Sequence, residues 1–178
     1  MIKTLNTIKL IAACATVYWP VASFSHVMLQ EKTATALSTY KAVFQVGHGC
    51  DGSPTNQIKI ALPAGLQGVK PMPKPGWTLA ITLGKLAMPY DNGHGAMVTQ
   101  AATEVTWTAN SKDYFLADAH YDEFVLRGRL PKETGPIWFK VLQGCDKGSI
   151  DWAETPASGT SVKGIKSPAA LLEILPAK

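Results

Sequence analysis

Four histidines and three cysteines carry most of the metal-binding and nucleophilic chemistry this chain can offer, and their neighbours sort them. Val46-Gly47-His48-Gly49-Cys50-Asp51-Gly52-Ser53-Pro54-Thr55 places an imidazole, a sulfur and a carboxylate in one glycine-rich loop. Asp51-Gly52 is also an ordinary turn pair, because Asp bonds its own backbone and tolerates turn conformations. Gln143-Gly144-Cys145-Asp146-Lys147-Gly148-Ser149-Ile150-Asp151-Trp152 places the other downstream cysteine in a turn that ends on an indole. His94 and His120 sit in polar loop contexts and read as solvated residues. Asp122-Glu123 pairs two carboxylates with no Ser or His set around them. There is no Gly-x-Ser-x-Gly elbow, phosphate-binding loop, His-Glu-x-x-His helix or dinucleotide fingerprint. No catalytic residue is therefore assigned, and a non-enzymatic protein is expected. Met28, Met72, Met88 and Met97 are scattered, which does not support a thioether site for Cu(I).

His26 gains its interest from what precedes it. Residues 1–25 carry Lys3 and Lys9 and no acid, then an apolar run from Leu10 to Phe24, then Ser23-Phe24-Ser25. A basic start, an apolar middle and small residues around a cut describe an export signal. The apolar run is short and interrupted for a membrane span of roughly 20 residues. Cleavage after Ser25 makes His26 the first residue of the mature chain; cleavage after Ser23 leaves Phe24 first. A terminal histidine offers its α-amine and its imidazole Nδ1 to one ion. The amine, with a pKa of about 7.7–8.0, gives up its proton to a metal near neutrality. Two such nitrogens plus a further N or O donor suit the tetragonal preference of Cu(II), an arrangement called a histidine brace. The loop of His48 and Asp51 could supply that further donor, as an imidazole or a carboxylate, and Trp152 could shield the ion if Cys50 and Cys145 pair.

The same signal sets the redox chemistry. Cys14 leaves with the leader, and a lone pair in an oxidising compartment is most simply a disulfide, here Cys50–Cys145, with a two-thiolate metal site as the rival. Such a crosslink is worth about 2–4 kcal/mol and draws the hairpin of Trp152 beside the loop of His48.

The elements that must position these residues are strands. Apolar residues alternate with period two over 40–46, 57–62, 77–83, 104–108, 123–130, 137–142 and 149–152. Trp77, Leu79, Ile81 and Leu83 are expected on one face. Gly, Pro, Asn and Asp clusters at 52–54, 63–65, 71–76, 91–93 and 131–136 read as turns. Helical periodicity is weak throughout. One all-β domain is expected, an antiparallel β-sandwich of immunoglobulin or cupredoxin type, over residues 26–157. Residues 158–178 are read as an extended tail whose last apolar run, Ala170–Leu175, docks on an edge. The net charge is +4; removing Lys3 and Lys9 leaves 15 basic against 13 acidic side chains, near +2. No basic block stands out, so nucleic acid is not an expected partner.

His26-Val27, His48 to Thr55, Val69 to Trp77, Asp122-Glu123-Phe124 and Cys145 to Trp152 occur in order across most of the mature chain. Together they resemble the YcnI-like family of bacterial copper-associated domains, from His26 to about Ala157. The resemblance implies a periplasmic β-sandwich that binds Cu(II) for trafficking, buffering or sensing. By that resemblance the ion would be held by the amine and imidazole of His26 and by a carboxylate, here Asp51, with His48 as an alternative donor and Trp152 nearby. Some relatives carry Glu in the loop where this chain has His48 to Asp51, and Met28-Leu29 departs from the usual pattern after the terminus. No second copper-chaperone domain follows, so transfer would need a separate periplasmic chaperone or membrane copper transporter. Two other functions stand beside this one. A copper-dependent oxidative enzyme would have only His48 as its second histidine, and no flat aromatic face is evident. A metal-free interaction module would be expected if the mature chain began ahead of His26.

Overall fold

The structure is a computed structural model and describes residues 26–177; the expected signal segment, 1–25, lies outside the described residues. Eleven strands follow in chain order: β1 (Met28–Leu29), β2 (Thr33–Thr35), β3 (Thr39–Val46), β4 (Thr55–Ala61), β5 (Gln67–Pro71), β6 (Trp77–Asp91), β7 (Met97–Ala109), β8 (Asp122–Arg129), β9 (Gly135–Cys145), β10 (Ser149–Trp152) and β11 (Ala170–Leu175). Among the described residues the only helical element is a single 3-10 turn at Lys112–Tyr114. One sheet runs β1-β3-β8-β5 and the other β2-β11-β9-β4-β7-β6, with β10 paired to β9.

The expected β-sandwich is what forms. Alternation explains the inner faces: Ala42, Phe44 and Val46 of β3 and Phe124 and Leu126 of β8 face Ile58 and Ile60 of β4, Val105 and Trp107 of β7, and Phe139 and Val141 of β9 in one core. Phe124 is edge-on to both Trp77 and Trp107, at 5.1 and 5.7 Å between ring centres, and Phe44 is edge-on to Phe139 at 5.3 Å. Such contacts add to area burial in holding the two layers together. The Trp107 indole N–H, buried with its ring, donates to the Met72 carbonyl at 3.0 Å.

Three features depart from the sequence reading. The hairpin of β6 and β7 is far longer than its two alternating runs. At about 3.3 Å per residue, β6 extends roughly 50 Å against roughly 26 Å for β3 or β8. The apolar stripe of β6 therefore outruns the opposite sheet: Trp77 is buried, but Ile81 is 46 % and Leu83 72 % exposed. The apolar end of the expected tail is not on an edge. β11 lies inside the sheet, antiparallel to β9 and parallel to β2, and Leu172 and Ile174 are core residues. The β2–β11 pairing is the one parallel pair among the described strands.

Candidate functional site

The site begins with a turn. β3 ends at Val46, and Cys50 and Ser53 then exchange both backbone hydrogen bonds at 2.9 Å. Asp51 and Gly52 fill the turn with φ of 49° and 81°. Positive φ at both central positions is a type I′ feature, which Asp-Gly adopts at little cost. Gly49 is required on steric grounds: a Cβ there would lie 1.9 Å from the Ser53 carbonyl oxygen. Its N–H donates to Asp118 Oδ1 at 2.8 Å, which ties the loop to the segment before β8.

Across from this loop, β9 and β10 form a hairpin closed by Cys145 N–H donating to Gly148 O at 3.1 Å. The Cys50–Cys145 disulfide forms, with 6.0 Å between Cα atoms, and fastens the hairpin to the loop. As expected of that crosslink, Trp152 comes to rest beside His48. The indole is 4 % exposed and belongs to the core, yet both imidazoles meet it edge-on, His26 at 5.6 Å and His48 at 6.1 Å between ring centres.

Gln143 holds this corner together, and the reading of the sequence passed over it. It is 1 % exposed. Its Nε2 donates to the His48 carbonyl and to Thr55 Oγ1, both at 2.7 Å, and its Oε1 accepts the Trp152 indole N–H at 2.9 Å. One amide thereby joins β9, β10, β4 and the His48 loop, and every buried side-chain polar atom among the described residues is satisfied. The signal was present in the sequence. Phe139, Val141, Gln143 and Cys145 fall on one face of a strand, and a glutamine in that row is a buried polar group that must be paired.

The electrostatics favour a neutral imidazole at His26. Burial, and then the neighbouring His48 ring, hold the pKa of His26 below its ordinary value. His48 Nδ1 lies against the Gly49 carbonyl oxygen. A carbonyl only accepts, so Nδ1 carries a proton in this contact, and Nε2 is the nitrogen through which the ring would bind a metal. The ring contacts bring His26, His48 and Trp152 to one place. Asp51 is exposed at the tip of the turn, where its backbone role accounts for it. Among the described residues no three His, Cys, Asp or Glu side chains gather closely enough to hold an ion. The donors here that fit Cu(II) are two imidazoles and, in a chain beginning at His26, its α-amine. His94 and His120 are exposed.

Two stacked β-sheets with a disulfide-fastened rim define the class, an immunoglobulin-like sandwich. The family follows from the sequence: a family model described as a domain of unknown function, DUF1775, matches residues 26–174, and the chain belongs to that family, also called YcnI-like. An uncharacterized protein from Nocardia farcinica, whose crystal structure is described as an immunoglobulin-like fold, is similar at 22 % identity. That match has a TM-score of 0.63 and covers 84 % of this chain and 97 % of the other. A chain of a type I cohesin–dockerin complex from Clostridium thermocellum aligns at 8 % identity with a TM-score of 0.39, over 84 % of this chain and 98 % of that one, too distant to bear on function. No curated protein matches the chain.

Proposed function

We propose that the protein is exported, is cut after Ser25, and binds Cu(II) in the periplasm for trafficking, buffering or sensing. His26 would supply its α-amine and Nδ1, and His48 Nε2 the further donor; Asp51 is the less favoured ligand. The observation that carries this reading is the convergence of His26 and His48 on the one buried indole of Trp152. The bound ion would be held in a tetragonal nitrogen set. Around it, Trp152 excludes water from one side, the Gly49 carbonyl fixes the His48 tautomer, and Gln143 fixes the backbone of His48. A separate copper chaperone or membrane copper transporter would deliver or receive the ion.

The test is a Cu(II) titration of protein whose first residue is His26, followed by electron paramagnetic resonance and by quenching of tryptophan fluorescence. Tight one-to-one binding with a nitrogen-rich signal is expected. One alanine placed before His26 separates the amine from the imidazole and should remove the tight site, and His48→Ala should weaken it. Binding that is indifferent to the added alanine would refute the brace. No binding to either form would leave a metal-free interaction module as the better reading.

A further inference from the structure

The outer face of the β1-β3-β8-β5 sheet carries a cluster of cations that only the strand pairing assembles. Arg127 of β8 stands directly opposite Lys41 of β3 on one side and Lys70 of β5 on the other. Arg129, two residues along the same face of β8, is flanked by Thr39 and Gln67. Residues directly opposite have Cα atoms about 4.5–5.5 Å apart, so three positive charges span roughly 10 Å across the strands, and Arg129 adds a fourth about 7 Å away. All four are exposed. The ion pairs among the described residues are Lys59–Glu104, Lys74–Asp122 and Lys112–Asp146, and none of them involves this cluster. Like charges set opposite one another destabilise a sheet, so the fold carries this row at a cost.

The cluster has a recess beside it. A cavity of about 300 Å³ is lined by Arg127, Arg129, Thr39 and Gln67 on the sheet and by Tyr90 and Asp91 from the end of β6. Tyr90 Oη accepts the Gly68 N–H at 3.2 Å, which leaves its own proton available to donate into the recess. The Asp91 carboxylate accepts the Gly93 N–H at 2.7 Å. It is the one acid lining the cavity, against the two guanidiniums of Arg127 and Arg129, and Lys41 and Lys70 flank Arg127 just outside the recess. At the far end of β8, Glu123 is opposite Gln45, two further strand steps from Arg127. The recess shares no residue with the cavities that His26 lines.

We propose that this recess is a binding site for a small ligand bearing two phosphate groups. A concave floor with two guanidiniums suits discrete tetrahedral anions, which Arg binds through paired N–H donors. A flat bilayer surface would not enter it. The charge also selects among anions. A phosphate monoester carries about −1.5 to −2 near pH 7, so two of them match the net of three positive charges that the two lining arginines, the flanking Lys41 and Lys70 and Asp91 make together, whereas a single carboxylate does not. One phosphate would sit on Arg127 and Arg129 within reach of Tyr90, and the second on Lys41 and Lys70.

The experiment uses metal-free protein and sodium pyrophosphate as the probe, followed by calorimetry and by amide shifts in nuclear magnetic resonance. Expected are saturable binding and shifts confined to residues 39–41, 67–70, 90–93 and 127–129. Affinity should fall on raising the salt, and by about tenfold or more in Arg127→Gln/Arg129→Gln. That double variant loses like-charge repulsion, so its thermal midpoint should equal or exceed that of the wild type, which separates lost binding from lost folding. Lys59→Gln, on the other sheet, should bind as the wild type does. The proposal is overturned if pyrophosphate fails to saturate, or if the double variant binds it equally. It is also overturned if poly-glutamate or phosphatidylglycerol vesicles bind this face while pyrophosphate does not.

Discussion

Replacing Gln143 by leucine should be a damaging change at the His26–Trp152 corner that leaves both imidazoles in place. The two side chains are close in size, so the effect is one of polarity. Leucine removes three hydrogen bonds: those to the His48 carbonyl, to Thr55 Oγ1 and from the Trp152 indole. The Thr55 hydroxyl can rotate, and Cys145 Sγ lies 3.8 Å from it. The His48 carbonyl and the Trp152 N–H lose their partner, and an orphaned buried polar group costs about 1–3 kcal/mol. Two such groups, less the relief of no longer burying an amide, come to about 3 kcal/mol. For a domain of this size that is a fall in thermal midpoint of roughly 6–12 °C. Urea unfolding monitored by tryptophan fluorescence measures it. Trp152→Phe, which keeps a ring but removes one donor, should cost about 1 kcal/mol by the same reasoning, and the two changes should be less than additive because they share a bond. A loss below about 1 kcal/mol for Gln143→Leu would show that the amide does not organise the corner. If the copper reading holds, the same variant should also bind Cu(II) more weakly, because the His48 backbone has lost its anchor.

Removing the disulfide by Cys50→Ala/Cys145→Ala frees a loop of 95 residues. The chain-entropy estimate is a loss of about 4–5 kcal/mol, read as a shift in urea midpoint. Gly49→Ala drives a methyl group into the Ser53 carbonyl and should cost about 1–3 kcal/mol or more, with added mobility at His48 visible in amide exchange. The lowered pKa of His26 predicts a pH dependence. Between the folded pKa and the ordinary value of 6.5 the unfolded chain holds the extra proton, so stability from this group is complete above about 6.5 and is lost as pH falls through the folded value. Urea midpoints taken from pH 8 down to 5 should decline, and His26→Gln should flatten part of that decline.

Strands whose two faces meet different surroundings announced themselves in the sequence. Phe44 and Val46, Ile58 and Ile60, and Phe139 and Val141 alternate with polar neighbours because one face of each strand is core. β1 and β2, at two and three residues, are too short to show a period. β5 carries Gly68 and Pro71 and is an edge strand, so its side chains are under little pressure to alternate. The apolar run of β11 was visible, but its insertion between β2 and β9 depends on pairings more than thirty residues distant in the chain, which no local pattern records. The corner around Trp152 was legible through its cysteines, since a crosslink is a long-range contact that residue type alone can suggest. The network through Gln143 was legible only as a polar residue out of place. The Lys41, Arg127 and Lys70 row was not legible at all: the charges are scattered along the chain and become neighbours only in register.

The position of β11 has a consequence for how the chain is completed. β2, near the start of the domain, and β9 both wait for residues 170–175 to supply the strand between them. Until those last residues arrive, two strands keep unpaired backbone edges open to other chains. A topology that joins its beginning to its end in this way closes late and slowly, on the millisecond-to-second scale of non-local β-sheets. A chain cut short before Ala170 would be left as a sticky, unfinished sandwich.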